Sequence, residues 1–169
     1  MVLGIDIYES RELQAAVLGL RRASKDMQSQ VRKQTREKLL PEWQKGLAER
    51  AETRLEHRVL VDTGRVRMSN QNVRLSSATV GRKLSGGLDI KTQYAAVAFG
   101  VDRTKTTTYE GRSRKGKTYR ATRHTRAQLR PRRRNGYVAY PAAKALIPRF
   151  ASLWVQTVVR SFYDGIEGK

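Results

Sequence analysis

From Ser10 to about Arg58 the apolar positions recur at helical spacing. Leu13, Val17, Leu18 and Leu20 form one inward stretch, which Ser10 is placed to cap. Gly19 and Ser24 mark a break, and Ser24 can cap a second helix. There Met27, Val31, Leu39, Trp43, Leu47, Ala51 and Leu55 fall mostly four residues apart, with charges between them. Pro41 predicts a kink or restart in this run, because proline removes a helical N–H and crowds the preceding turn. An unbroken helix over 24–56 would be roughly 50 Å long, against a diameter of roughly 40 Å for a compact chain of this length. The pattern therefore predicts either a fold-back at Pro41 or a protruding helix packed on another subunit.

Beyond this region the periodicity changes. Val59-Leu60-Val61 is a short β-branched run leading into Asp62-Thr63-Gly64, read as a turn or helix start in which Gly64 tolerates positive φ. From Asn72 to Gln93 the signals are strand-like: Val73, Leu75 and Val80 give broken alternation, Gly86-Gly87 makes a turn, and Leu88 and Ile90 alternate with polar neighbours. The apolar run Tyr94 to Gly100 fits a buried strand or one to two helical turns equally well. After Asn135-Gly136 a C-terminal helix is predicted from about Pro141 to Asp164, bent near Pro148 and stopped by Gly165. Phe150, Leu153, Trp154, Thr157, Val158, Ser161 and Phe162 lie on its single face. The reading is a single domain over 1–169 of the α+β class: a long kinked N-terminal helical region, a small antiparallel sheet with a basic hairpin arm, and a C-terminal amphipathic helix packed on the sheet. Tyr94, Phe99, Trp154 and Phe162 are expected in the core.

Charge changes this picture most between Val101 and Gly136, the basic arm. That stretch holds thirteen Lys or Arg residues and very few acidic or apolar ones. It cannot bury enough apolar surface to offset its ordering entropy alone. Thr106–Tyr109 and Thr118–Thr122 are β-prone and flank Gly111 to Gly116, so the segment reads either as a basic β-hairpin ordered on assembly or as plain disorder. The chain as a whole carries a net charge of +20, and its 38% hydrophobic content falls below the usual globular share largely because of this arm. Such charge calls for an acidic partner and says nothing about fold. The contact residues expected are Arg112, Arg114, Lys115, Lys117, Arg120, Arg123, Arg126, Arg130, Arg132, Arg133 and Arg134.

Several classes of chemistry lose their footing. There is no cysteine, which removes disulfides and thiolate metal sites, and the two histidines, His57 and His124, are far apart in sequence. No metal or cofactor is expected. No apolar run approaches a membrane span and no signal-peptide pattern opens the chain, which predicts a protein made in a cytoplasm or used in a particle assembled there, without a membrane. Asp62-Thr63-Gly64 after three apolar residues resembles the aspartic-protease signature, where paired carboxylates activate water. Here a long helix precedes it, Arg65 stands where those enzymes carry a small residue, and no second hydrophobic-glycine element follows. The motif is read as a turn and the protein as a non-enzyme. A nucleic-acid reading rests on the arm's guanidinium groups with Tyr109, Tyr119 and Tyr137 beside them for stacking, though no recognition-module signature accompanies them.

Three elements in order carry a resemblance. Val61-Asp62-Thr63-Gly64-Arg65-Val66-Arg67-Met68-Ser69 comes after the first helices. Tyr94-Ala95-Ala96-Val97-Ala98-Phe99-Gly100-Val101 is next, and Tyr140-Pro141-Ala142-Ala143 leads into the last helix. Over roughly Leu13 to Phe162 this arrangement resembles the tail-completion, or head-to-tail joining, proteins of long-tailed phages, typified by gene product ten of the phage Hong Kong ninety-seven. Ala98 and Val101 stand where that family carries Glu and Thr, and the basic arm is longer than the family's connection. The resemblance implies a structural virion protein of the tail or neck. It would form a homo-oligomeric ring, a hexamer, against a stopper, tail terminator or tail tube, with DNA in the channel as a further contact. It also implies that Asp62, Thr63, Gly64, Tyr94, Phe99 and Gly100 shape the fold rather than perform chemistry.

Overall fold

The computed structural model describes residues 1–4, 10–104, 106–123 and 129–166. Ser10 accepts a hydrogen bond from Leu13 N at 3.4 Å and starts α1 (Arg11–Arg22), whose buried residues Leu13, Ala16, Val17 and Leu20 follow the helical repeat. Ser24 caps α2 (Lys25–Ala48) in the same way, accepting from Met27 N at 3.2 Å. Val31, Thr35, Leu39, Trp43 and Leu47 form its buried stripe.

That stripe corrects the expectation at Pro41. The helix runs through the proline unbroken, because Pro41 and Glu37, whose carbonyl loses its N–H partner there, both lie on the exposed side. Burial of Leu39, Trp43 and Leu47 on the opposite side holds the turn in register. The helix ends at Ala48, so it is roughly 36 Å long and fits within the body. Its length no longer calls for a neighbouring subunit.

A second start comes at once. Thr53 and Glu56 form a reciprocal capping box at the head of α3 (Arg54–Glu56), which opens into a π turn over His57–Val61. The Val59-Leu60-Val61 run is thus helical rather than extended, and the wide turn buries Val59 and Leu60 side by side. Strands β2 (Arg65–Met68) and β3 (Val73–Ser76) pair antiparallel, and β1 (Val2–Gly4) joins the other edge of β3, giving the order β1-β3-β2.

The strand-like reading of 72–93 holds only through β3. Gly86-Gly87 does form a turn, closed by Leu84 N to Leu88 O at 2.9 Å. Asp89 then caps a helix, α4 (Ile90–Phe99), by accepting from Lys91 N at 3.0 Å, so Ile90 and the Tyr94 run are helical. The hairpin strands β4 (Thr107–Arg112) and β5 (Thr118–Arg123) come next, and α5 (Ala139–Ile166) closes the chain. Helix α5 passes through Pro148 and Gly165, both expected to disturb it. The fold is α+β: α2 packs on β2, and α5 lies along α2 and α1 to complete the helical cover of the sheet. Trp154 is fully buried, whereas Tyr94, Phe99 and Phe162 are half-buried against the core.

Where these layers meet, buried polar groups stitch them together. The Thr63 hydroxyl donates to Val59 O at 2.5 Å and accepts from Ala78 N at 2.7 Å. Ser77 Oγ donates to Leu60 O at 2.7 Å, and Trp43 Nε1 donates to Ser76 O at 3.1 Å. Ala78 is held at φ 59°, in the left-handed region that a non-glycine residue seldom occupies. Gly64 does not have positive φ. It is small for a different reason, since a Cβ there would lie 3.0 Å from both Leu47 Cδ1 and Val61 O.

Replacing Thr63 with Val keeps the shape but leaves the buried Ala78 N–H without its acceptor. Urea denaturation should show a loss of about 1–3 kcal/mol for Thr63→Val and clearly less for Thr63→Ser. Equal losses for the two variants would show that packing, not the hydroxyl, is what matters.

Candidate functional site

The segment read as one extended arm divides into parts with different physics. Its outgoing portion is an antiparallel ribbon in which Thr107 faces Arg123, Tyr109 faces Ala121 and Gly111 faces Tyr119. The pairing continues to Arg112 and Thr118, well past the β-prone stretch that ends at Tyr109. The loop is therefore only Ser113 to Lys117, closed by Ser113 N to Lys117 O at 2.9 Å and by Gly116 N to Ser113 O at 2.9 Å.

Alternation then sorts the side chains. Tyr109, Gly111 and Tyr119 share one face, and the Tyr119 ring lies so close across Gly111 that a Cβ there would sit 2.7 Å from Tyr119 Cζ. Both tyrosines are exposed. Arg112 and Arg120 point to the opposite face, where Glu110 stands directly across from Arg120. Arg114, Lys115 and Lys117 occupy the exposed tip. Neither strand contributes a described residue to the core.

The returning portion is bound to the body, contrary to the expectation of a free arm. Val101 N donates to Arg130 O at 2.9 Å, Arg133 N donates to Phe99 O at 2.7 Å, and Tyr137 N donates to Ala98 O at 3.0 Å. Gly100 makes this approach feasible: it has φ 74°, and a Cβ there would fall 2.1 Å from Pro131 O. The Tyr137 hydroxyl donates to Pro131 O at 2.8 Å and fixes the ring under the guanidinium of Arg130, 4.6 Å from its centroid.

Arg130 is accordingly an anchor and leaves the set of partner contacts. Its Nε lies 2.9 Å from Glu56 Oε1 and its Nη2 lies 3.2 Å from Glu56 Oε2, a two-pronged contact. The Glu56 side chain is 3% exposed and that of Arg130 17%, so this pair sits largely out of water. Glu52 adds a contact at 2.7 Å but is 78% exposed. The same Glu56 carboxylate accepts from Glu52 N and Thr53 N, so the capping box and the arm's base share one group. The sequence shows the capping box as Thr53-x-x-Glu56, but nothing in it pairs Glu56 with a residue beyond position 100.

The other expected contacts stay closer to solvent. Arg132, Arg133 and Arg134 are exposed on the return, with Arg133 also 5.5 Å from the Tyr137 ring. Arg123 ends β5, and Arg126 lies outside the described residues. Asp62 is exposed just after the π turn, and its backbone N–H donates to His57 O at 3.0 Å, while Thr63 is buried and spends its hydroxyl inside the core. Among the described residues, no group of three or more His, Cys, Asp or Glu is placed to hold a metal ion, and no helix is long and apolar enough to cross a membrane.

Removing Glu56 would strand a largely buried guanidinium and two backbone donors. Glu56→Ala should lose about 3–5 kcal/mol in urea unfolding, whereas Glu52→Ala should lose about 1 kcal/mol or less because that partner is exposed. In the double variant Glu56→Ala with Arg130→Ala the losses should be smaller than their sum. Additive losses would show that the pair does not hold the arm. Set against protein-family models, curated proteins and solved structures, the chain matches none of them.

Proposed function

We propose that this protein is a non-enzymatic structural component of a long-tailed phage, one subunit of a neck ring that joins head to tail, and that its basic hairpin is the docking element. The observation that supports this most is the hairpin's mechanical setting. A two-stranded ribbon outside the core is marginally ordered alone, yet this one rises from a firm base. The return is held by Arg130 on Glu56 and by backbone bonds to the end of α4. Such a ribbon gains its order by lying on another surface, while the return that follows it is anchored on the body. Arg112, Arg114, Lys115, Lys117 and Arg120 give it a charge suited to an acidic face of an adjoining ring: stopper, tail terminator or tail tube.

Tyr109 and Tyr119 on one face favour a second reading, in which the ribbon meets nucleic acid and the rings stack on unpaired bases. Magnitudes weigh against DNA capture as the main task in a neck. Roughly six to ten phosphate contacts change affinity by about 10³–10⁵ across ordinary salt, and a channel that holds its genome that strongly would hinder release.

The deciding experiment replaces Arg112, Arg114, Lys115, Lys117 and Arg120 together with Gln during particle production. Circular dichroism of the purified variant should match the parent, while electron microscopy should show heads and tails accumulating unjoined. Normal yields of joined particles would overturn the docking role. Absence of the parent protein from nuclease-treated, salt-washed particles, measured by quantitative mass spectrometry, would overturn the virion reading and promote the nucleic-acid one.

A further inference from the structure

A second cationic surface lies away from the hairpin, between α2 and the outer strand of the sheet. It is a groove of about 880 Å³. One wall is a single stripe of α2: Ser29, Arg32, Lys33, Arg36, Glu37 and Leu40, at the i, i+3, i+4 spacing of one helix face. The other wall is β2, and all four of its residues, Arg65, Val66, Arg67 and Met68, border the groove. Successive strand residues point to opposite faces, so a space touched by every one of them lies against the strand's edge.

That edge is open. Strand β2 is terminal in the order β1-β3-β2, and the described backbone bonds give it no partner besides β3. Its hydrogen-bonding direction is set by the turn. Ser69 N donates to Asn72 O at 2.9 Å, and antiparallel pairs alternate from there, so Arg67 with Arg74 and Arg65 with Ser76 are the bonded pairs. The N–H and C=O groups of Val66 and Met68 therefore point away from β3, into the groove. Exposed edge groups of this kind accept an added strand.

Charge specifies which strand. Five cationic side chains line the groove against one acidic residue, Glu37. Arg32 is held by Asn70 Oδ1 and Arg65 by the carbonyls of Asp62 and Gly64, whereas Lys33, Arg36 and Arg67 are exposed and enter no ion pair among the described residues. Leu40, Val66, Met68 and Val80 supply apolar surface between them. The α2 stripe spans roughly 16 Å at 1.5 Å per residue, the length of about five extended residues at 3.3 Å each.

We infer that this groove binds an extended peptide segment of a partner protein, in which acidic residues alternate with apolar ones, by adding it as a fourth strand beside β2. The apolar surface and the outward amides favour peptide over nucleic acid, which would use the cations and leave both unmatched. The inference stands on residues apart from the hairpin and does not depend on its role.

The test uses the full-length protein, labelled with nitrogen-15, and the probe peptide acetyl-Glu-Val-Asp-Ile-Glu-Val-Asp-amide. Peptide addition should shift the amide signals of Val66 and Met68 more than those of the hairpin. Charge reversal at exposed positions, Arg36→Glu with Arg67→Glu, should weaken binding at least roughly tenfold. N-methylation of alternate peptide nitrogens should do the same by blocking strand pairing, and the hairpin Gln variant should bind as the parent does. Binding insensitive to N-methylation, or undiminished by the charge reversal, would overturn the inference. So would shifts of the same amides with an oligothymidylate and not with the peptide, or with rising protein concentration alone, which would assign the groove to nucleic acid or to a second copy of the chain.

Discussion

The buried hydroxyl of Thr63 is the contact on which the rest of the arrangement depends. It closes the π turn through Val59 O and holds the strained backbone of Ala78 through its N–H. Beside it Ser77 bonds Leu60 O and the Trp43 indole bonds Ser76 O. These bonds bring α2, the π turn and the end of β3 to one point inside the core. Each buried group satisfies another, so no single one can be replaced without leaving a donor or acceptor dry. The direction in which β2 leaves this point sets the groove beside α2.

A second tie lies a few residues earlier in the chain. Glu56 caps its own helix and also receives Arg130, so the segment between Thr53 and Thr63 secures the core at one end and the base of the basic segment at the other. The geometry of the base is therefore built into the fold rather than left to a partner. In the ribbon, by contrast, Tyr109, Tyr119 and the tip cations have no core to bury in, and in the proposed docking role its order comes from a partner.

A net charge of +20 on one small body repels itself. Part of it stands on two separate surfaces, the hairpin and the α2–β2 groove. In the proposed ring, two separate basic surfaces suit a subunit that meets unlike neighbours. In that setting each surface works by shape, backbone groups and charge.

Much of the fold was legible in the chain because local rules act over a few residues. Ser10 and Ser24 announced the first two helix starts, the periodic apolar stripe gave α2 and α5, and Val73 and Leu75 gave β3. Where local rules misled, burial overruled them. Pro41 and Pro148 sit inside continuous helices and the β-branched run 59–61 is a π turn, while the run from Tyr94, which fitted strand or helix equally well, lies in a helix that Asp89 caps and that ends at Phe99. Composition and local patterning were enough for the α+β class and the concentration of positive charge, and they left the hairpin open against plain disorder. Long-range packing was needed to make Arg130 an anchor and not a free contact, to bury Thr63 as a bolt, and to leave β2 with an open edge along the basic stripe of α2. Those outcomes depend on residues tens of positions apart coming within a few ångströms, and no local pattern in a single chain records which distant groups will meet.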